Sequence, residues 1–434
     1  MKNKKWMAIL LGGIMAASLA APCSVSAAEK TTLTFWHAMG GTNGEVLQQI
    51  VDDFNASQDE IEVKAEYQGT YDDTITKLKA AMQSDSGLPD VCQMYDVGTK
   101  FMYDSGAVIP VEDKFESTGY DKSSVMEVIS SYYTVDGKQY AMPFNVSTPM
   151  LYYNKDVFEA AGLDPETPPT TYDEVLEDAK KIVESGAAPV GYSQAIYGWF
   201  FEQQLAGLGV TYGNNDNGRK EAVTAVDFDS NGGGLKVFDM WKKLYDSGYF
   251  EDYGTTTADT QTAFFSGQVG MIIESTAILK NAVDSSPFEV GTGYLPRIEQ
   301  NDEGGVIIGG GSLWLTDTGN EANEDAAWKF IEYITTPDVQ AKWSMGTGYF
   351  AINEKAYETD DMKAYLKENP NFETAINQLK DSPVNCNTAG VLSGVQTEAR
   401  LTFNEIMPQV YDGKLTTQDA VDQLVASVNK AIEN

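Results

Sequence analysis

Arginine is scarce in this sequence, and it is the side chain best suited to hold a small anion. Of the 30 basic residues, only Arg219, Arg297 and Arg400 are arginines. The guanidinium fork binds carboxylate or phosphate through parallel hydrogen bonds, so a rare arginine in a cleft is a natural anion anchor. The alternative role for each arginine is an ion pair, either on the surface or between two lobes of the fold. The polar loop at 214–220 favours that alternative for Arg219.

A glycine run offers a second way to bind an anion. Gly309, Gly310 and Gly311 precede Ser312, and glycine permits the left-handed backbone with which successive N–H groups form an anion-binding nest. No Gly-Lys-Ser/Thr follows, which argues against a nucleotide-binding loop. The same run suits a tight turn between a loop and a strand, and the sequence leaves both alternatives open.

Aromatic residues cluster at predicted turns. Rings with a polar tip suit the walls of a cleft that stacks on a polyol or a choline-like group while hydrogen-bonding it. Packing in the core is the alternative for each ring. The residues are Trp36, Tyr67, Tyr71, Tyr95, Tyr152, Tyr153, Tyr197, Trp199 and Tyr349.

No arrangement of residues predicts catalysis. The sequence has 64 carboxylates, yet no spacing singles out a glycosidase pair. A single His37 and the lack of a Cys/His cluster argue against a zinc site or a histidine-dependent nucleophile. We therefore expect no catalytic residue, no metal ligand and no cofactor.

The first 27 residues predict a cleaved export signal. Three lysines precede an apolar run at 6–21, and small residues end at Ala28, where we expect the mature chain to start. Pro22 in front of Cys23 disfavours a lipid anchor there. The protein is thus expected to be periplasmic or extracellular.

Size and charge limit the possible partners. The mature chain of some 400 residues exceeds what one core supports and predicts two domains. The formal net charge of −34 repels phosphate backbones and anionic lipid, so no nucleic-acid partner is expected. Cys92 lies in an apolar strand-like run and is predicted to be buried, while its pairing with Cys386 stays open.

Short strands alternate with amphipathic helices from residue 33 onward, which predicts an α/β fold with largely parallel sheets. In such sheets ligands bind beyond the carboxyl ends of strands, here after Trp36, Tyr67 and Tyr95. Further elements are predicted near 150–154, 173–185 and 269–273, with a capping box at 416–419 starting a final helix. The first five predicted elements are strand 33–36, a helix with apolar positions 46–54, strand 61–67, helix 73–83 and strand 91–95.

Read in order, several short motifs resemble the extracellular solute-binding proteins of ABC importers, and most closely the branch that binds glycerol-3-phosphate. The resemblance covers nearly the whole mature chain. The motifs are Phe35-Trp36-His37, Tyr95-Asp96-Val97-Gly98-Thr99, Pro143-Phe144-Asn145-Val146-Ser147-Thr148-Pro149, Leu151-Tyr152-Tyr153-Asn154-Lys155-Asp156, Ala161-Gly162-Leu163-Asp164-Pro165, Ile308-Gly309-Gly310 and Thr347-Gly348-Tyr349.

The resemblance implies a two-lobed periplasmic-binding-protein-like fold of type II, with a hinge and a ligand cleft that closes between the lobes. We expect lobe 1 to hold residues 28–147 plus 292–335, and lobe 2 to hold residues 148–291 plus 336–434. The implied partners are a small-molecule ligand and the permease subunits of an ABC transporter. A monomer is expected.

Seven ligand-binding positions carry over from the family's motifs. The residues themselves support three of them, since Asp96 follows a strand, Gly310 lies in the glycine run and Arg400 is a scarce anion anchor. The resemblance places Arg400, the Gly310 N–H and the hydroxyls of Ser147, Ser275 and Tyr349 on the phosphate, and Asp96 and Tyr71 on the glycerol hydroxyls.

Two departures from the family pattern concern ligand size. Asp96 stands where the family often has Glu, and Ile196 stands where it can have Trp, with Trp199 three residues on. Both changes predict extra room, so a glycerophosphodiester such as glycerophosphocholine is expected to bind as well as, or better than, the monoester. Two alternatives stay open, namely a receptor for a neutral oligosaccharide and a secreted hydrolase of glycosides or phosphodiesters.

Overall fold

The structure is a computed structural model that describes residues 30–84 and 87–433. The predicted export signal at 1–27 and Cys23 lie outside these residues. Within the described ranges no helix is both long and apolar enough to cross a bilayer.

Strands and helices alternate along the described chain. Its strands are β1 (Thr31–His37), β2 (Ile61–Tyr67), β3 (Val91–Tyr95), β4 (Val108–Ile109), β5 (Thr134–Val135), β6 (Lys138–Gln139), β7 (Met142–Ser147), β8 (Pro149–Asn154), β9 (Val190–Ser193), β10 (Val269–Ser275), β11 (Val290–Gly293) and β12 (Gly309–Thr316). Its helices are α1 (Gly41–Ser57), α2 (Tyr71–Met82), α3 (Thr99–Ser105), α4 (Glu112–Thr118), α5 (Glu127–Ser130), α6 (Lys155–Ala160), α7 (Tyr172–Ser185), α8 (Gly198–Gly207), α9 (Asn214–Gly218), α10 (Gly233–Asp246), α11 (Thr257–Phe265), α12 (Leu279–Ser285), α13 (Glu321–Ile334), α14 (Pro337–Thr347), α15 (Asp360–Glu368), α16 (Asn371–Asp381), α17 (Gln396–Tyr411) and α18 (Thr417–Ile432).

Two mixed sheets form the centres of two lobes. The first has the order β2-β1-β3-β12-β4, and β7 joins it by pairing with β12. The second has the order β11-β8-β10-β9. The α/β class and the two-lobed architecture are as predicted.

The prediction of largely parallel sheets is wrong. In the first sheet β1 is parallel to β2 and β3, but β12 is antiparallel to β3, β4 and β7. In the second sheet only β9 and β10 pair in parallel. The reason in the first sheet is that the chain comes back from the second lobe before β12. Strand β12 therefore begins at the edge of the sheet where β3 and β7 end, and it runs in the opposite direction. Gly311 therefore pairs with Tyr95, and Gly309 pairs with Ser147.

The chain changes lobe at Thr148, because β7 ends in the first sheet at Ser147 and β8 starts in the second at Pro149. It returns in the segment that joins β11 to β12. The lobe boundaries remain a proposal, and the packing of α14 on α1 favours placing residues 337–347 with the first lobe.

Each lobe has its own apolar core. Leu33, Phe35 and Trp314 are fully buried under the first sheet, while Phe201 and Phe403 join α8 to α17 in the second lobe, with ring centroids 5.1 Å apart. Burial of such large rings is the main source of each lobe's stability.

Local sequence explains where helices begin. The predicted capping box at the start of α18 is confirmed, since the Thr416 hydroxyl accepts from the Asp419 N–H at 3.1 Å and the Asp419 carboxylate accepts from the Thr416 N–H at 3.2 Å. This exchange satisfies two backbone donors that the first turn leaves unpaired. Thr70 and Asp73 do the same at the start of α2, which fixes Tyr71 in its first turn.

Both described cysteines are free. Cys92 is fully buried in β3, as predicted, and burial raises the pKa of its thiol.

Candidate functional site

Helices α8 and α17 cross so closely that they fix one arginine between the lobes. A Cβ on Gly198 would lie 2.5 Å from the Arg400 Cα, so only glycine fits there. The Asn404 side chain accepts from the Gly198 N–H at 2.9 Å and ties the two helices together. One helical turn after Gly198, Glu202 faces Arg400.

Arg400 lies between two carboxylates that come from different lobes. Its Nε donates to Glu202 Oε1 and its Nη2 donates to Glu202 Oε2, both at 2.7 Å. Nη2 also donates to Asp96 Oδ2 of the first lobe at 2.7 Å. Asp96 directly follows β3, as expected for a residue at the carboxyl end of a strand. The structure thus joins two predicted site residues across the lobe boundary.

The charges of this group stabilise one another in a dry environment. Arg400 and Glu202 are 8% and 4% exposed. Burial opposes the charge of Arg400, but Asp96 and Glu202 outweigh it and hold the guanidinium pKa well above its usual range. Burial also raises the pKa of Glu202, and the hydrogen bonds from Arg400 and Gln396 oppose that rise.

Tyr71, Asn145 and Tyr349 form a polar group that packs on the core of the first sheet. Asn145 Nδ2 donates to the Tyr71 hydroxyl at 2.7 Å, and Asn145 Oδ1 accepts from Gln93 at 2.7 Å, which fixes the amide. The Tyr349 hydroxyl interacts with the same Asn145 and Tyr71 groups, which lower its pKa against the larger effect of burial. These contacts hold the Tyr71 and Tyr349 hydroxyls in place, and their contact with ligand stays a prediction.

Tyr95 makes a second contact across the lobe boundary. Its ring stacks on Tyr71 with centroids 5.0 Å apart. Its hydroxyl donates to Asp72 at 2.8 Å and lies 3.2 Å from the Thr397 hydroxyl of α17.

The glycine run is the beginning of β12, with an irregular register between Gly311 and Ser312. Gly310 has φ +88°, and a Cβ there would lie 1.9 Å from the Asn145 carbonyl oxygen. Both facts require glycine. That the Gly310 N–H donates a hydrogen bond to a phosphate stays a prediction.

Ser147 ends β7 of the first sheet, and Ser275 ends β10 of the second sheet. The residues that follow them tie the strands together, since the Thr276 N–H donates to the Thr148 carbonyl at 2.8 Å and the Thr148 N–H donates to the Thr276 hydroxyl at 3.1 Å. The Ser275 hydroxyl accepts from the Ala277 N–H at 3.1 Å. Both serines thus lie at the lobe crossing, and their contact with ligand stays a prediction.

Trp199 and Ile196 differ in where their side chains lie. Ile196 is fully buried in the core of the second lobe, so its contact with ligand stays a prediction. Trp199 packs on Gly309, where a Cβ would lie 2.6 Å from its ring. Its Nε1 is buried and has no hydrogen-bond partner among the described residues.

The other two arginines do not join this group. Arg219 donates to the carbonyls of Tyr132 at 2.7 Å and Gly390 at 3.0 Å, and also to that of Ala389. Burial lowers its pKa to about 10. Arg297 is exposed.

Sequence reasoning missed Glu202, Asn145 and the α17 residues Gln396 and Thr397. A signal existed for Glu202, because this carboxylate directly follows the apolar run Trp199-Phe200-Phe201 in a helix that is buried on all sides. A carboxylate is rarely buried without a partner, so this position pointed to a cation. Asn145 gave no such signal, because its role depends on contacts between distant strands.

Comparison with known proteins agrees with this architecture. Residues 49–374 match the sequence profile of the family described as bacterial extracellular solute-binding protein. The chain belongs to this family of bacterial extracellular solute-binding proteins. The two-lobed architecture agrees with this membership.

Two sequence relatives of this solute-binding protein are sn-glycerol-3-phosphate-binding periplasmic proteins (UgpB). The one from Escherichia coli strain K12 is 31% identical over 409 residues, which are 93% of this chain and 92% of the relative. The one from Brucella abortus strain 2308 is 32% identical over 430 residues, which are 98% of both chains.

Solved structures give the same fold. The cyclic alpha-maltosyl-1,6-maltose binding protein of Arthrobacter globiformis has a TM-score of 0.79 at 25% identity, covering 94% of this chain and all of that one. UgpB of Mycobacterium tuberculosis in complex with glycerophosphocholine has a TM-score of 0.77 at 21% identity, covering 93% and 98%.

Proposed function

We propose that this solute-binding protein is the receptor of an ABC importer and binds glycerol-3-phosphate or a glycerophosphodiester in the cleft between its lobes. In this proposal the chain is exported, acts as a monomer and delivers its ligand to the permease subunits. No bond is made or broken, because the ligand acts by stabilising the closed arrangement that the transporter recognises.

The observation that carries the proposal is the buried guanidinium of Arg400 at the lobe boundary. Its hydrogen bonds use Nε and Nη2, and Nη1 makes none to any residue in the described ranges. Nη1 is therefore the donor that a phosphate oxygen would meet. Asp96 and Tyr71 lie close enough for the carboxylate to raise the pKa of the phenol, after the larger effects of burial and Tyr349. These two groups would then take the glycerol hydroxyls.

The glycerophosphate-binding relatives support this choice of ligand, and the oligosaccharide-binding neighbour supports a competing one. The two differ in what they require of Arg400. A phosphate needs the cation, whereas a neutral sugar does not.

Calorimetric titration with glycerol-3-phosphate, glycerophosphocholine and maltose tests the proposal. Wild-type protein should bind at least one phosphate ligand, and Arg400→Gln should weaken it by about 10- to 100-fold, because a hydrogen bond to a charged group contributes about 1.5–3 kcal/mol. Arg297→Gln, which changes an exposed arginine in the same way, is the matched control and should bind like wild type.

Maltose binding that survives Arg400→Gln, without any phosphate binding, would instead establish the oligosaccharide alternative. Recovering the ligand after incubation separates a receptor from a hydrolase. A receptor returns it intact, and release of inorganic phosphate, glycerol or choline would overturn the proposal. The exported product should begin at Ala28 in an intact-mass measurement.

A further inference from the structure

The positive charge of Arg400 is compensated by a carboxylate of its own lobe. Glu202 holds it through two hydrogen bonds of 2.7 Å within the second lobe, and both residues are buried. A phosphate entering this cleft therefore meets a guanidinium whose charge Glu202 has already neutralised. This differs from an anion site built on an unpaired arginine.

The hydrogen bonds of Glu202 show that it carries its negative charge. Oε1 accepts from Arg400 Nε and from Gln396 Nε2, the latter at 2.5 Å, and Oε2 accepts from Arg400 Nη2. A protonated carboxyl would need an acceptor for its own hydrogen. The described residues offer only donors to these oxygens.

Asp96 adds a second carboxylate on the other side of the same guanidinium. The three charged groups in direct contact therefore sum to one negative charge. The remaining groups that interact electrostatically with Asp96, Glu202 or Arg400 are neutral phenols, whose pKa values burial raises, namely Tyr71, Tyr95, Tyr132, Tyr133, Tyr197 and Tyr212. Behind them, Glu274 interacts with Tyr197, and Arg219 interacts with Tyr132.

The charge of a phosphate ligand depends on its esterification. A phosphomonoester carries about −1.5 to −2 at pH 7, with a second pKa near 6, whereas a phosphodiester keeps a single negative charge. In a buried cleft each extra negative charge on the ligand costs free energy, because little water or salt is present to screen its repulsion from the carboxylates. The ligand with one charge is thus the better match.

We propose that Glu202 is a specificity-determining residue, which neutralises Arg400 in advance so that the cleft selects glycerophosphodiesters over glycerol-3-phosphate. The inference rests on the proposed function and adds the charge class of its ligand. Glu202 does not touch the ligand, and it acts through the guanidinium it holds.

The test compares two probes that differ by one charge and one methyl group, glycerol-3-phosphate and its methyl phosphodiester, at pH 8. Wild type should bind the diester at least tenfold more tightly. Glu202→Gln removes one negative charge and should reduce that preference at least tenfold, chiefly by strengthening monoester binding. Glu202→Asp keeps the charge and should keep the preference, and Glu332→Gln in α13 is the matched control.

Melting temperatures of all variants identify any that fail to fold. If Glu202→Gln does not fold, Glu202→Ala removes the same charge and should reduce the preference in the same way. An unchanged ratio in folded Glu202→Ala would likewise overturn the role of Glu202. A wild-type preference for the monoester, or an unchanged ratio in folded Glu202→Gln, would overturn the role of Glu202 while leaving a glycerophosphate receptor. Absence of binding to both probes and to glycerophosphocholine would overturn the proposed function itself.

Discussion

Arg400 and Asp96 belong to different lobes, and their Nη2 and Oδ2 atoms lie 2.7 Å apart. The pair is buried, with Asp96 only 5% exposed. The two lobes are thus held together by an ion pair that uses the same guanidinium on which the proposed ligand depends. In the proposed function, ligand binding and lobe closure would therefore share this one side chain.

Asp96→Asn should shift the ligand-free protein toward an open arrangement. The amide keeps the size of the side chain but removes the charge, and the lost interaction of about 1–3 kcal/mol changes the closed-to-open ratio by about 5- to 150-fold. Small-angle scattering would show a larger radius of gyration. Asp104→Asn, which alters a surface pair with Lys100, is the control. An unchanged radius in Asp96→Asn would mean that other contacts hold the lobes.

Gly310→Ala should destabilise the protein by about 2–4 kcal/mol. Its Cβ would overlap the Asn145 carbonyl at 1.9 Å, and φ +88° adds backbone strain of about 1 kcal/mol. Gly413→Ala shares a positive φ of +69° but meets no atom within 4 Å, so it isolates the backbone strain. Urea unfolding of both variants measures the difference, and equal losses would show that the strand relaxes around the new methyl group.

His37 should make the protein more stable as pH rises from about 4 to 6.5. Burial lowers its pKa to about 4. Between about pH 4 and 6.5 the unfolded chain therefore binds a proton that the folded chain does not bind. Stability therefore increases with pH, by up to about 3 kcal/mol. His37 is the only histidine in the sequence, so its ring resonances in NMR give the midpoint directly. His37→Gln should lose this part of the pH dependence, and a midpoint near 6.5 would contradict the burial.

Glu274 should act in the opposite direction. Burial raises its pKa to about 7, although Gln261 and the Ser275 N–H donate to it. The folded chain then keeps a proton that the unfolded chain releases near pH 4.5, so this group lowers stability as pH rises from about 4.5 to 7. The loss is at most about 3 kcal/mol. Unfolding free energies of wild type and Glu274→Gln at pH 5 and pH 8 should diverge accordingly, and parallel values would refute the shift.

Local pattern was enough to predict most individual elements. Strands β2 and β3 have the predicted bounds, and α2 starts two residues earlier than predicted, because Thr70 caps it. The apolar positions that repeat at helical or strand spacing also face the cores. These features depend on neighbours within a few residues, which is why the sequence reveals them.

Pairing between distant segments was not predictable in the same way. The direction of β12 depends on where the chain re-enters the first lobe, and nothing within the strand encodes that. Composition identified Arg400 as one of only three arginines in the sequence, and the family resemblance placed it in the cleft. Its two carboxylate partners lie about 200 and 300 positions away in sequence, so only the fold brings them together.

The contact between Trp199 and Gly309 has a consequence for how the molecule can be observed. The indole of the second lobe rests on the bare Cα at the start of β12, so parting of the lobes would bring this ring into water. The wavelength of Trp199 fluorescence would then change as the lobes open and close, and no dye would need to be attached.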